Sequence, residues 1–245
     1  ASIKRRTMKQ LKKLYAELLK AIGESNKIDY DTVKFCFQHG KFYPKETANA
    51  GILFVGRACN GWDAYSDDVN ILFGKGQGAI SKQDSIRYLV STANPNYNAN
   101  LSAFWRVIGN LSSLYYGKQW MDYIAWTNLY KIAPEGGNPD RILGGLQYNH
   151  CVRILECEIE LLSPKVIVFF TGDESKDWIT DDFTNVACDR FMPSYKKISW
   201  DKYSLMYAEV NGRIVIVTEH PQGKKEDPHV EALYGCIDRA MNNGS

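Results

Sequence analysis

Residues 161–172 read Leu-Leu-Ser-Pro-Lys-Val-Ile-Val-Phe-Phe-Thr-Gly, and this stretch decides the fold class. Ser163-Pro164 must end any helix that reaches it, because proline bars the α conformation for the residue before it. Val166–Phe170 is then an unbroken apolar run, rich in β-branched and aromatic side chains, closed by Gly172. A strand without polar alternation is covered on both faces, which is the habit of parallel strands.

Working upstream, a helix is expected to enter this stretch from Asn138-Pro139-Asp140. Asn138 is placed to cap it, Pro139 fits the first helical position and Asp140 suits the positive end of the dipole. Leu146, Val152, Leu155, Ile159 and Leu162 supply its apolar face. Before it, Asp122–Asn128 (DYIAWTN) reads as a strand and residues 101–115 as a helix on Leu101, Phe104, Trp105, Ile108, Leu111 and Tyr115. Gly51–Gly56 (GILFVG) is a further buried strand. Downstream, Ile214–Val217 makes a fourth strand, and Asp227-Pro228 opens a last helix through Val230, Leu233, Ile237 and Met241. In residues 173–210 no clean period emerges.

Strands alternating with helices imply parallel pairing through right-handed crossovers. The fold class is therefore α/β: a three-layer α/β/α sandwich around a four-stranded parallel sheet. One domain over 1–245 is expected, with an N-terminal basic helical region at 1–48 and the α/β core at 50–242. Ligands of such sheets bind beyond the carboxyl ends of the strands. The segments to watch are thus 56–63, 128–138, 171–174 and 218–225.

The composition is that of a globular protein with a core, 44% hydrophobic and 24% charged. Six cysteines without a C-x-x-C pair point to free thiols in a reducing, cytoplasmic setting. No apolar run approaches the roughly 20 residues that span a bilayer, so no membrane is expected as a partner. The polar, charged start does not read as a signal peptide. Net charge is +2, but residues 1–45 carry eleven Lys/Arg against four Asp/Glu. That patch can attract phosphate backbones; equally, it is the solvated face of an amphipathic helix whose apolar stripe is Leu11, Leu14, Leu18, Leu19 and Ile22.

Three loop motifs carry the chemistry. Gly56 ends a strand before a tight polar turn that can bring backbone N–H groups to a ligand. Asn128 sits at a strand end, where an amide both donates and accepts across a planar base edge; satisfying local backbone is its ordinary role. His220-Pro221 closes the last strand and lifts an imidazole above the sheet, although burial explains most lone histidines. G-x-S-x-G, Walker A and H-E-x-x-H motifs are absent from the sequence, and the four histidines show no zinc spacing.

Taken together and in order, these motifs resemble the uracil-DNA glycosylase superfamily, most closely its thermostable iron–sulfur branch. The similarity lies in Ile52–Asn60 (ILFVGRACN), Ile71–Gly76 (ILFGKG), Trp126–Pro134 (WTNLYKIAP) with Asn138-Pro139, Leu161–Gly172, and His220-Pro221-Gln222. It covers roughly residues 50–240. The resemblance implies hydrolysis of the N-glycosidic bond of uracil or another damaged base in DNA, with the base flipped into a pocket. His220 is then expected to face the carbonyl oxygen of the leaving base, Asn128 to read its edge, and Phe73 to stack on its face, with Tyr65 and Trp62 as further stacking candidates. Gly56, Arg57 and Asn60 on the first turn, and Gln222 and Lys224 on the last, are expected to meet backbone or phosphate.

Two departures from the family pattern stand out. Arg57 and Ala58 occupy the positions of the usual first-motif carboxylate or amide, leaving Asp63 as the nearest candidate for the catalytic acid and giving Arg57 the character of an anion binder. The cluster cysteines are missing: Cys36 has no near partner, Ile132 stands where a cysteine is expected, and Cys151 with Cys157 cannot supply four ligands. No iron–sulfur cluster, no metal and no other cofactor is expected, and the protein is expected to be a monomer. Two alternatives remain open: a protein of the same fold that binds a base, nucleotide or DNA without cleavage, and a hydrolase of free nucleosides or nucleotides.

Overall fold

The structure, a computed structural model, describes residues 2–27, 35–37, 51–58, 68–73, 86, 90, 98–134, 136–172 and 191–242. The chain forms two compact units interleaved in sequence: one of Ala1–Lys41, Arg57–Asp84 and Thr127–Ser163, the other of Phe42–Gly56, Ser85–Trp126 and Pro164–Ser245.

The second unit holds the sheet. Its strands are β2 (Ile52–Gly56), β3 (Ile124–Asn128, whose last two residues open the next segment of the first unit), β5 (Val166–Phe169), β6 (Lys196–Trp200), β7 (Tyr203–Val210) and β8 (Arg213–Thr218). They lie in the order β3-β2-β5-β8-β7-β6. β2 pairs with β5 and β5 with β8 in parallel, Phe54 opposite Val168 and Val168 opposite Ile216. Ile52 N–H donates to Tyr123 O, and further along Tyr130 N–H donates to Arg57 O. The chain therefore advances together on β2 and β3, and that pair is parallel too. Burial is complete along β2, β3 and β5, as the continuous apolar runs require.

The expected count of four strands is corrected. β6 and β7 form an antiparallel hairpin that adds to β8, so the sheet is mixed and six-stranded. Asn211 and Gly212 between β7 and β8 take φ of 54° and 72°, the left-handed pair that a tight two-residue hairpin turn demands. Outer β6 exposes Lys196 and Lys197, charges that discourage further edge pairing. Helix α3 (Ala103–Tyr116) buries Phe104, Trp105, Val107, Ile108 and Leu111. It packs on α5 (Glu226–Asn242), which also touches β6 and β8. A forked ion pair, Arg106 Nε and Nη2 to Glu226, ties α3 to the start of α5.

The first unit is helical. α1 (Ser2–Glu24) buries Leu11, Leu14, Tyr15, Leu18 and Ile22 and packs along α4 (Arg141–Leu162). Each such leucine contributes about 2 kcal/mol on burial. Arg6, Lys9 and Lys13 face outward, and Lys13 and Lys20 pair with Glu17 and Glu24 one turn on. Short α2 (Val69–Phe73) also meets α1. Strand β1 (Phe35–Phe37) pairs antiparallel with β4 (Ile132–Pro134). The cap of α4 is Asp140, not Asn138: its carboxylate accepts from Leu143 N at 2.8 Å. The helix begins two residues later than expected. Its end is as expected, with Ser163 turned to φ 47° before Pro164.

Candidate functional site

Along the chain the four parallel strands run β2, β3, β5, β8, but in space they run β3, β2, β5, β8. The winding direction reverses after β3. Such a sheet has its switch point between β2 and β5, and ligands bind beyond the carboxyl ends there. In the second unit those ends are Gly56, the Phe170–Gly172 segment and, beside it, the turn after Thr218. Gly172 N–H donates to Thr218 O at 2.9 Å and locks two of these ends together.

His220 is half-exposed on that turn. Its ring stacks on Phe104 with centroids 5.7 Å apart and planes inclined 15°. Phe104 stands edge-on to Phe170, which stacks on Phe54 of β2. The imidazole thus rests on a buried aromatic column rooted in the sheet. Nδ1 of His220 accepts from the backbone N–H of Gln222 at 3.2 Å. A nitrogen that accepts carries no proton, so the neutral ring is protonated on Nε2. Lys224 N–H donates to Pro221 O, and Gly223 holds φ 74°, closing a turn that places glycine where a left-handed residue is required.

Lys224 is engaged on this turn by an anion and an aromatic face. Its ammonium lies 3.2 Å from Glu219 and 4.9 Å from the ring centroid of Tyr203. Gln222, Gly223 and Lys225 are exposed.

Beneath the turn is a group that the sequence reading missed. His229, in the first turns of α5, is fully buried, with Nε2 2.9 Å from Thr218 Oγ1. It stacks on Trp200 at 4.0 Å and meets the edge of Phe170. Nδ1 has no hydrogen-bond partner among the described residues. Burial, with Lys224 and His220 adding repulsion, pushes its pKa down to about 3, so the ring is neutral. The signal was available: His229 falls on the stripe of Leu233, Cys236 and Ile237 at helical spacing.

The remaining candidates belong to the first unit. Arg57 is half-exposed, and its carbonyl accepts from Tyr130. Asn128 is 2% exposed at the end of β3 and engaged within the fold. Phe73 ends α2 edge-on to Tyr15, centroids 5.4 Å apart. Tyr15 in turn donates to Glu158, whose other oxygen accepts from Thr127, the neighbour of Asn128. The structure thus joins His220 and Gln222 directly and holds Lys224 on the same turn; within the first unit, Phe73 and Thr127, the neighbour of Asn128, reach the buried Tyr15–Glu158 pair. Asn60, Trp62, Asp63, Tyr65 and the Gly74–Gly76 end of the Ile71–Gly76 motif lie outside the described residues. No trio of His, Cys, Asp or Glu suited to a metal occurs among the described residues, and no helix described is long and apolar enough to cross a membrane.

Compared with known proteins, the sequence matches no family model and no curated protein.

Proposed function

We propose that this chain is a glycosylase-like hydrolase that cleaves the N-glycosidic bond of uracil or another damaged base in DNA, on a three-layer α/β/α core of the uracil-DNA glycosylase kind. One observation carries the reading: His220 is held flat on Phe104 with Nδ1 occupied by Gln222 N–H, at the carboxyl end of a parallel strand. A ring so constrained offers an Nε2–H donor of fixed direction.

In the reaction the C1′–N bond breaks and the base leaves with the electron pair. Negative charge gathers on its carbonyl oxygen, where the Nε2–H of His220 donates. Water adds to C1′ and gives up a proton, for which Asp63 is the proposed acceptor. A preorganised donor at a developing oxyanion is worth about 3–4 kcal/mol. Asn128 takes the base edge and Phe73 its face; stacking contributes about 1–3 kcal/mol per base. The exposed Gln222, Gly223 and Lys225 lie along the DNA backbone in this reading, with Arg57, Gly56 and Asn60 taking phosphate or backbone at the first turn.

Arg57 and Ala58 in place of a first-motif acid favour a second reading, in which the protein binds a flipped base without cleaving it. Single-turnover incubation with labelled single- and double-stranded oligonucleotides carrying uracil, hypoxanthine or xanthine tests the two. Alkali-labile abasic product establishes the glycosylase. Retention of the modified strand without product establishes the binder, and neither cleavage nor retention removes both.

A further inference from the structure

We infer that the buried Lys131–Glu158 pair, with Thr127 and Tyr15, is a positioning device for the turn that carries Asn128, residues 127–132. All four side chains are wholly buried. Glu158 Oε1 accepts from the Tyr15 hydroxyl at 3.0 Å, and Oε2 accepts from Thr127 Oγ1 at 2.9 Å and from Lys131 Nζ at 2.9 Å. Lys131 Nζ also donates to Thr127 Oγ1 at 2.6 Å. The chain therefore meets this carboxylate from Thr127, next to the end of β3, and again from Lys131 beyond it.

The backbone of this turn is fixed just as fully. Gln147, itself wholly buried, accepts from Lys131 N–H and Ile132 N–H through Oε1 and donates to Ile132 O through Nε2. Tyr130 N–H goes to Arg57 O. A side-chain amide thus does for Lys131 and Ile132 what a neighbouring strand would do.

Fold stability does not account for the charges. Two ions taken out of water lose more hydration than a single contact returns, and apolar replacements of whole buried pairs are often neutral or stabilising. What the pair supplies is direction: a carboxylate with three donors admits one arrangement of the residues that reach it. Two of those donors flank Asn128, so its amide inherits a fixed bearing. The exchange arm of the test below stands by itself; only the affinity arm rests on the proposed role of Asn128 in reading a base.

The test is hydrogen exchange of the full chain carrying Tyr15→Phe, Thr127→Val, Lys131→Met and Glu158→Leu together, beside the wild type. The expected result is an unchanged or raised urea midpoint, with the amides of Tyr130, Lys131 and Ile132 exchanging at least tenfold faster relative to Ile154 and Leu155 of α4. Affinity for a uracil-containing oligonucleotide falls about tenfold in parallel. An unchanged ratio in a folded variant overturns the inference. If the fourfold variant does not fold, Thr127→Val alone decides it: selective acceleration at those three amides supports the inference, and uniform acceleration or none overturns it. A wild type that neither binds nor cleaves the oligonucleotide, while the exchange ratio shifts as stated, removes the glycosylase reading and leaves the positioning role intact.

Discussion

The backbone N–H of Gln222 donates to Nδ1 of His220 across 3.2 Å, so a turn two residues long sets the tautomer of the ring it follows. The contact is local, but its consequence is chemical: the proton of the neutral imidazole is kept on Nε2.

Gln222→Pro tests this contact without disturbing the turn. Proline suits the second position of a turn whose third residue is Gly223 at φ 74°, yet it carries no N–H. Nitrogen chemical shifts of His220 are expected to change from one Nε2–H tautomer to a mixture, with base release slowed about tenfold, near the 1.4 kcal/mol of one hydrogen bond. Gln222→Ala, which keeps the N–H, is expected to keep the single Nε2–H tautomer of the wild type.

His229 gives the fold an acid sensitivity of known sign. Its pKa is about 3 in the folded protein, below the ordinary 6.5. The unfolded chain therefore takes up a proton that the folded one refuses. This stability is fully present above about pH 6.5 and is lost as pH falls from there toward 3, at up to about 1.4 kcal/mol per unit. Replacing His229 with Phe keeps the stack on Trp200 but removes the proton site. Between pH 7.5 and 5 the variant is expected to lose about 2 kcal/mol less than the wild type by urea unfolding.

Two ion pairs of the first unit should differ greatly in cost when broken. Lys131→Met leaves Glu158 charged and wholly buried and is expected to destabilise by about 3–5 kcal/mol. Arg153→Ala, which cuts an exposed pair with Glu17, is expected to cost under about 1 kcal/mol. Urea midpoints of the two variants check the contrast.

Neighbouring glycines of α4 make a third comparison. A Cβ at Gly145 meets nothing within 4 Å, whereas one at Gly144 comes within 3.1 Å of the Tyr130 hydroxyl. Alanine at 145 is expected to raise stability by about 0.5–1 kcal/mol through helix propensity. Tyr130 is buried and cannot yield freely, so alanine at 144 is expected to forfeit that gain or reverse it. Thermal unfolding of the two variants separates them.

Where burial is uniform, the sequence was easy to read. Val166–Phe169 and Ile52–Gly56 are buried at every position, and their unbroken apolar runs say so directly. The hairpin of β6 and β7 was harder. β6 is exposed along most of its length and β7 mixes buried Leu205, Met206 and Ala208 with partly exposed tyrosines, so neither shows a steady period. The Asn211-Gly212 turn was the better signal, because it reports backbone geometry independently of burial. In the same way, Asp140 rather than Asn138 caps α4 because the carboxylate that reaches Leu143 N lies three residues before it.

The position of His220, on the turn just past Thr218, was legible because His-Pro follows directly on an apolar strand. Glu158 and His229 were not, because polar residues on apolar helix faces acquire meaning only when their partners are known. Those partners, Tyr15 and Lys131 for one and Thr218 and Trp200 for the other, lie far off in sequence or on separate elements.

In the proposed reaction the Nε2–H of His220 stabilises the departing base. The most direct measurement is the single-turnover rate of abasic-site formation in a uracil-containing oligonucleotide by the wild type and by His220→Ala, with urea midpoints measured in parallel. The expected result is a rate lowered about 100- to 1000-fold in the variant at an unchanged midpoint. Equal rates for the two folded proteins would contradict it.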